Sequence, residues 1–360
     1  MSGKFLGFSL VLVAIATMAL FTRCSRAGEV TAGSGYKVLE PIRHGNLTVF
    51  PVVASVSHDT HEFLTLDEGV RSGEVEVSEA GSLRPLIRRR PGVVPAPGPQ
   101  VNQLMLVNHS KRPLLLLAGE IVTGGKQDRV IGMDRIIPPE SDPIDLSVFC
   151  VEPGRWTGPS PKFSSLTSPM AQPAVRAKVM AEKDQQQVWD QVRKQEGGVM
   201  GGVVGSDAVA VNATTSYARV MQTPGVQKQV DAVAEPIEHD YRSLIRQLRD
   251  RKAVGVVVAV NGQIIWADIF ASTDLLEKYW PKLIRSYAAE AIVARTGGRE
   301  VSVKAAQEFL DNREGNHETV ESEPGLYRHT EITGDGFRAF ELTSLLPKTG
   351  FDLHVAKMAE

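Results

Sequence analysis

Two runs rich in β-branched residues, 254–260 and 263–269, are separated only by Asn261-Gly262. Asn-Gly is a favoured pair for a two-residue type I′ turn, in which both central residues take positive φ and the turn follows the twist of the flanking strands. The pair commits this part of the chain to an antiparallel hairpin. Compact apolar or β-branched runs at 47–56, 74–78, 104–108, 114–117 and 144–150 read as further strands, with a short helix starting near Thr65 or Asp67. Pro173 at a start position and the helix formers after it predict a helix over 173–195. A second helix spans 227–251, interrupted or started near Pro236. After the hairpin, Leu276, Tyr279, Leu283, Tyr287 and Ala291 recur at helical spacing, with a kink or restart expected at Pro281. Another helix covers 301–312. The stretch 327–355 reads as paired strands turning at 334–336 and 348–350. Strands first, then helices around a hairpin, then strands again make an α+β plan of mostly antiparallel strands with helices packed on them, rather than a regular βαβ alternation.

The first 27 residues differ in kind. Lys4 precedes a charge-free apolar run from Phe5 to Phe21, and Ser25-Arg26-Ala27 follows as a small-residue cleavage site. That layout predicts a secretory signal peptide, hence a periplasmic or extracellular protein. Its length also overlaps that of a membrane anchor, which would tether the protein to the inner membrane through residues 5–21. Cleavage would leave Cys150 as the sole cysteine, so no internal disulfide could staple the fold. The expected organisation is a targeting segment over 1–27, a main α+β domain over 36–295, and a C-terminal helix and strands over 296–360 packed on that domain. The chain of 360 residues is 42% apolar and 23% charged, and carries a formal charge of -2. That make-up suits a soluble globular protein and argues against a basic nucleic-acid partner.

Two polar clusters each follow a strand-like run. In the first, Gly119-Glu120 precedes Gly124-Gly125-Lys126-Gln127-Asp128-Arg129; glycines let backbone approach a ligand, and Lys126 and Arg129 offer positive charge. In the second, Cys150-Val151-Glu152-Pro153-Gly154-Arg155-Trp156, Arg155 offers a planar fork and Trp156 a ring face. Glu120 and Glu152 are the candidate catalytic carboxylates, able to act as an acid/base pair if their pKa values are driven apart. The plainer reading is a pair of charged surface turns, with Lys126 and Arg129 paired to Glu120 and Asp128. Other chemistries lack their signatures. Four residues separate Cys150 from Arg155, where a cysteine-phosphatase cradle needs five. The glycine-rich 197–205 has no phosphate-loop lysine, and no Gly-x-Ser-x-Gly elbow occurs. His58-Asp59-Thr60-His61-Glu62 lacks the spacing of a helical zinc motif, so no metal site is assigned.

The segments 119–129 and 150–156 resemble the hallmark motifs of a bacterial family, the ADP-ribosylglycohydrolase- and rhodanese-phosphatase-superfamily-associated protein domain. Gln187-Val188-Trp189 and the stretch 255–287 are similar to its later blocks, and the resemblance covers about 36–292. The family name carries an association rather than an activity. The associated ADP-ribose-processing enzymes imply a nucleotide-derived ligand, and the residue types of the two clusters suit a small anionic, nucleotide or sugar-type ligand bound by Gly124, Gly125, Lys126, Gln127, Arg129, Arg155 and Trp156. No cofactor is named by the resemblance. The expectation is a small anionic ligand, with a hydrolase using a glutamate general base and an envelope interaction or scaffold protein with a protein partner as the other readings. Membrane contact is expected only through the N-terminal segment.

Overall fold

A computed structural model describes residues 35–80, 101–158, 160–166, 168–247, 252–294 and 300–360; the expected targeting segment and the proline-rich stretch 91–100, which its four prolines mark in sequence as a loop, lie outside them. Asn261 and Gly262 both take positive φ, 52° and 75°, and the strands Lys252–Val260 and Gln263–Phe270 pair antiparallel across them. This hairpin is the centre of a nine-stranded antiparallel sheet. On one side lie Leu47–Ala54 and then Tyr36–Val38, with Ile42–His44 folded back on Leu47–Ala54. On the other lie Asp352–Ala359, Phe337–Ser344, Tyr327–Gly334 and, at the edge, Gly315–Glu323. The strands beyond residue 300 thus complete the same sheet as the hairpin.

The unbroken apolar run in Lys252–Val260 follows from burial on both faces. The helix Thr273–Val293 packs on one face, and the helix Pro224–Gln247 packs against it. On the other face, Ala306 and Leu310 of the helix Val303–Asp311 close over Phe50, Val52, Val257 and Ile269. Thr273–Val293 starts where the Ser272 hydroxyl accepts the Leu275 N–H. It runs without a break through Pro281, as Pro224–Gln247 does through Pro236. The helix expected over 173–195 is divided instead. Pro173–Ala177 passes into a π-helical turn, Lys178–Glu182; Lys183 then takes a left-handed φ of 53°, and Asp184 caps a new helix, Gln185–Val199.

The segment between 64 and 164 builds a second body of sheet. Six strands close into a small barrel in the order Ile144–Cys150, Gln103–Asn108, Val75–Glu79, Lys162–Ser164, Ile121–Gly124 and Arg129–Ile131. Val77, Leu104, Leu106, Val122, Ile131 and Phe163 fill it, as expected for a barrel this narrow. Arg135–Ile137, Leu114–Leu116 and Leu64–Thr65 form a three-stranded sheet, the last pair parallel. Among the described residues no helix is long and apolar enough to cross a membrane.

Candidate functional site

Antiparallel pairing decides where the two motif segments go. Ile121–Gly124 ends and Arg129–Ile131 begins at the same end of the barrel, joined by the turn 125–128. Cys150 pairs with Arg129 there, so the chain leaves the barrel at that end and carries 151–156 across the turn. Val75–Glu79 finishes at the same end, and Lys162–Ser164 starts there. The mouth of the barrel therefore gathers Glu79, Lys126, Gln127, Asp128, Arg129, Glu152, Arg155 and Trp156. Gly125 permits the turn: its φ is 48°, and a Cβ would stand 2.1 Å from the Phe163 ring.

Arg155 clasps the two loops. Its Nε donates to Glu152 Oε1 (2.7 Å) and its Nη2 to Glu152 Oε2 (2.5 Å), while Nη1 donates to the carbonyls of Gly125 (2.9 Å) and Thr157 (2.7 Å). Nη2 also reaches the Gly124 carbonyl and Asp128 Oδ1. Donating to the Glu152 carboxylate raises the pKa of Arg155 above that of a free guanidinium. Glu152 is buried and also accepts the Asp128 N–H (3.0 Å), and its carbonyl accepts Gln127 Nε2. Asp128 accepts the Ser216 hydroxyl (2.5 Å) and the Gly124 N–H; burial raises its pKa despite the Ser216 bond. All the donors of Arg155 thus point at the protein itself.

The outer layer is different. Trp156 is 41% exposed, with the Lys126 ammonium 5.1 Å from its ring centroid and the Arg129 guanidinium at 5.9 Å. The Lys126 N–H is held by Glu79 Oε1 (2.6 Å). Arg129 is fully buried. Cys150 is buried too: its backbone bonds both ends of the Gln185 amide, and burial pushes its thiol pKa up, away from thiolate chemistry.

Glu120 stands apart. The strand Ile121–Gly124, about 13 Å of chain at 3.3 Å per residue, separates it from the turn. Its Oε2 accepts the Leu117 N–H (2.9 Å), and burial, opposed by Lys282, raises its carboxyl to about 8. Near it lies an ionic cluster that sequence reading missed. Arg176 grips Asp268 with both terminal nitrogens (2.8 Å each), and the Tyr287 hydroxyl donates to the same carboxylate. His354 bridges Asp268 (3.1 Å) and Asp134 (2.6 Å). Arg176, Asp268, His354 and Asp134 have no exposed surface, and the Arg176 guanidinium lies 4.5 Å from the Trp266 ring centroid. The cluster joins the loop after the barrel strand Arg129–Ile131 to the large sheet. A cavity of about 450 Å³ opens beside Met170, Met221, Val230, Lys282 and Arg285. Its cations are paired, Lys282 with Asp67 and Arg285 with Asp231 and Glu238, and no residue of the two motif loops lines it.

Compared with known families, residues 35–356 match the model of the ARG and Rhodanese-Phosphatase-superfamily-associated Protein domain. No curated protein and no solved structure matches the chain.

Proposed function

The chain belongs to the ARG and Rhodanese-Phosphatase-superfamily-associated Protein domain family, a description that names associates and no reaction, and on that premise we propose that it is an exported module binding a small ligand with a planar ring and an anionic group at the barrel mouth. The carrying observation is the clasp. By bonding Glu152, Asp128 and the Gly124–Gly125 carbonyls, Arg155 holds the two loops as one rigid rim. That rim presents the exposed indole of Trp156 beside the Lys126 ammonium. A ring stacks on the indole and a charged group meets the ammonium, the pairing used for nucleotides and sugar phosphates. Arg155 acts here as a positioning residue. Export through residues 1–27 is supported by the apolar run and the small-residue site after it.

Thermal melting of the full chain with nucleotides, ADP-ribose and sugar phosphates tests the binding reading. A ligand at about 100 times its dissociation constant adds roughly 2.7 kcal/mol. The expected outcome is a stabilising ligand whose effect is lost in Trp156→Ala and reduced in Lys126→Ala. A cooperatively melting sample that no such compound stabilises would overturn the reading.

A further inference from the structure

The loop contacts leave one side chain at the barrel mouth incomplete. Arg129 Nη1 donates to the carbonyls of Gln127 (2.7 Å) and Asp128. Its Nε and Nη2 are buried and have no acceptor among the described residues. Those two nitrogens form the edge of the guanidinium that takes two oxygens of a carboxylate or phosphate side-on. A buried cation with an open edge is costly unless something fills it, and burial does weigh against this charge. Acceptors at the same mouth are open as well: Glu79 Oε2 and Gln127 Oε1 have no donor among the described residues. Glu79 already reaches into the turn through its bond to the Lys126 N–H, and its charge acts on Arg129.

We infer that the Arg129 edge and Glu79 Oε2 form a subsite for a protonated tetrahedral oxyanion. Two oxygens of a phosphate group accept from Arg129 Nε and Nη2, and its P–OH donates to Glu79. This rests on the binding reading above and gives that site its ligand class, a phosphate or phosphate ester that keeps one hydroxyl. Sulfate has no hydroxyl at neutral pH. It would set its charge against the Glu79 carboxylate with no proton between them, so the subsite discriminates against it.

The test is titration calorimetry of the full chain with inorganic phosphate and with sulfate, at ionic strength matched with sodium chloride. Phosphate is expected to bind about tenfold or more tighter than sulfate. Arg129→Lys, which keeps the charge and loses the fork, should lose phosphate binding. Glu79→Gln should bring the two anions together, whereas Lys126→Ala should weaken both and preserve their ratio. Should the Arg129 variant fail to fold, the Nε–Hε resonance of Arg129 in the wild-type chain answers the same question, because it must move when phosphate binds. Equal affinity for the two anions, no binding of either, or an unmoved resonance under saturating phosphate would overturn the subsite. In that event, a ring-bearing ligand that still depends on Trp156 would leave the binding reading standing.

Discussion

Arg155 is the side chain on which the geometry of the mouth depends, because its removal strands two buried carboxylates. Arg155→Ala leaves Glu152 and Asp128 without their cation and should destabilise the fold by about 3 kcal/mol, the cost of breaking one side of a largely buried pair. Arg155→Lys can reach one carboxylate but not the carbonyls of Gly124, Gly125 and Thr157 together, and should fall between the two. Urea denaturation of the three proteins measures this, and an alanine variant as stable as wild type would remove the clasp from the argument. The residues of the two motifs are legible in sequence because each set is contiguous and its glycines and charges follow a strand. Their division of labour is not, since a guanidinium that grips its own loops and one that faces a ligand look the same as letters. Glu79 lies 47 positions from the N–H it binds, and Ser216 lies 88 from Asp128. No spacing rule links residues that meet only through barrel closure.

At the scale of elements, local chemistry dictates the hairpin, while closure dictates the barrel strands. Asn261-Gly262 announces its turn through backbone preference alone, so substitution there carries a defined cost. Gly262→Ala forces a β-carbon into φ 75° and should destabilise the protein by about 1 kcal/mol. An unchanged urea midpoint would show that the turn tolerates an L-residue. Barrel strands such as Arg129–Ile131 and Lys162–Ser164 are three residues long. They carry too little periodicity to be read and exist because neighbours on both sides pair with them. The edge strand Gly315–Glu323 was missed for another reason: it is polar and largely exposed, as suits a sheet margin that must not recruit another chain. Splitting of the expected 173–195 helix reflects Lys183 in the left-handed region, a tertiary choice that helix propensity does not foresee.

Across the whole molecule, the buried charges make stability a function of pH. Burial raises the Glu120 carboxyl from 4.5 to about 8, so the folded state holds a proton that the unfolded chain has released. Burial opposes charge on His354, but Asp134 and Asp268 outweigh it and raise its pKa from 6.5 to about 9. The histidine's contribution is complete below pH 6.5 and is lost as pH rises through 9. Glu120 therefore lowers stability as pH rises from about 4.5 to 8, and His354 as pH rises from about 6.5 to 9, each by up to about 1.4 kcal/mol per pH unit where its proton counts differ fully. Lys357, lowered to about 8 by burial, acts in the opposite sense mainly above that pH. Urea midpoints should fall steadily from pH 5 to 8, and Glu120→Gln should flatten the decline; a level wild-type profile would contradict it. The sheet order has a consequence for biosynthesis. Leu47–Ala54 has to wait for a hairpin made some two hundred residues later, and Gln263–Phe270 stays unpaired on its far side until residue 359 has left the ribosome. A nascent chain wired this way cannot lock its largest sheet while it is being made.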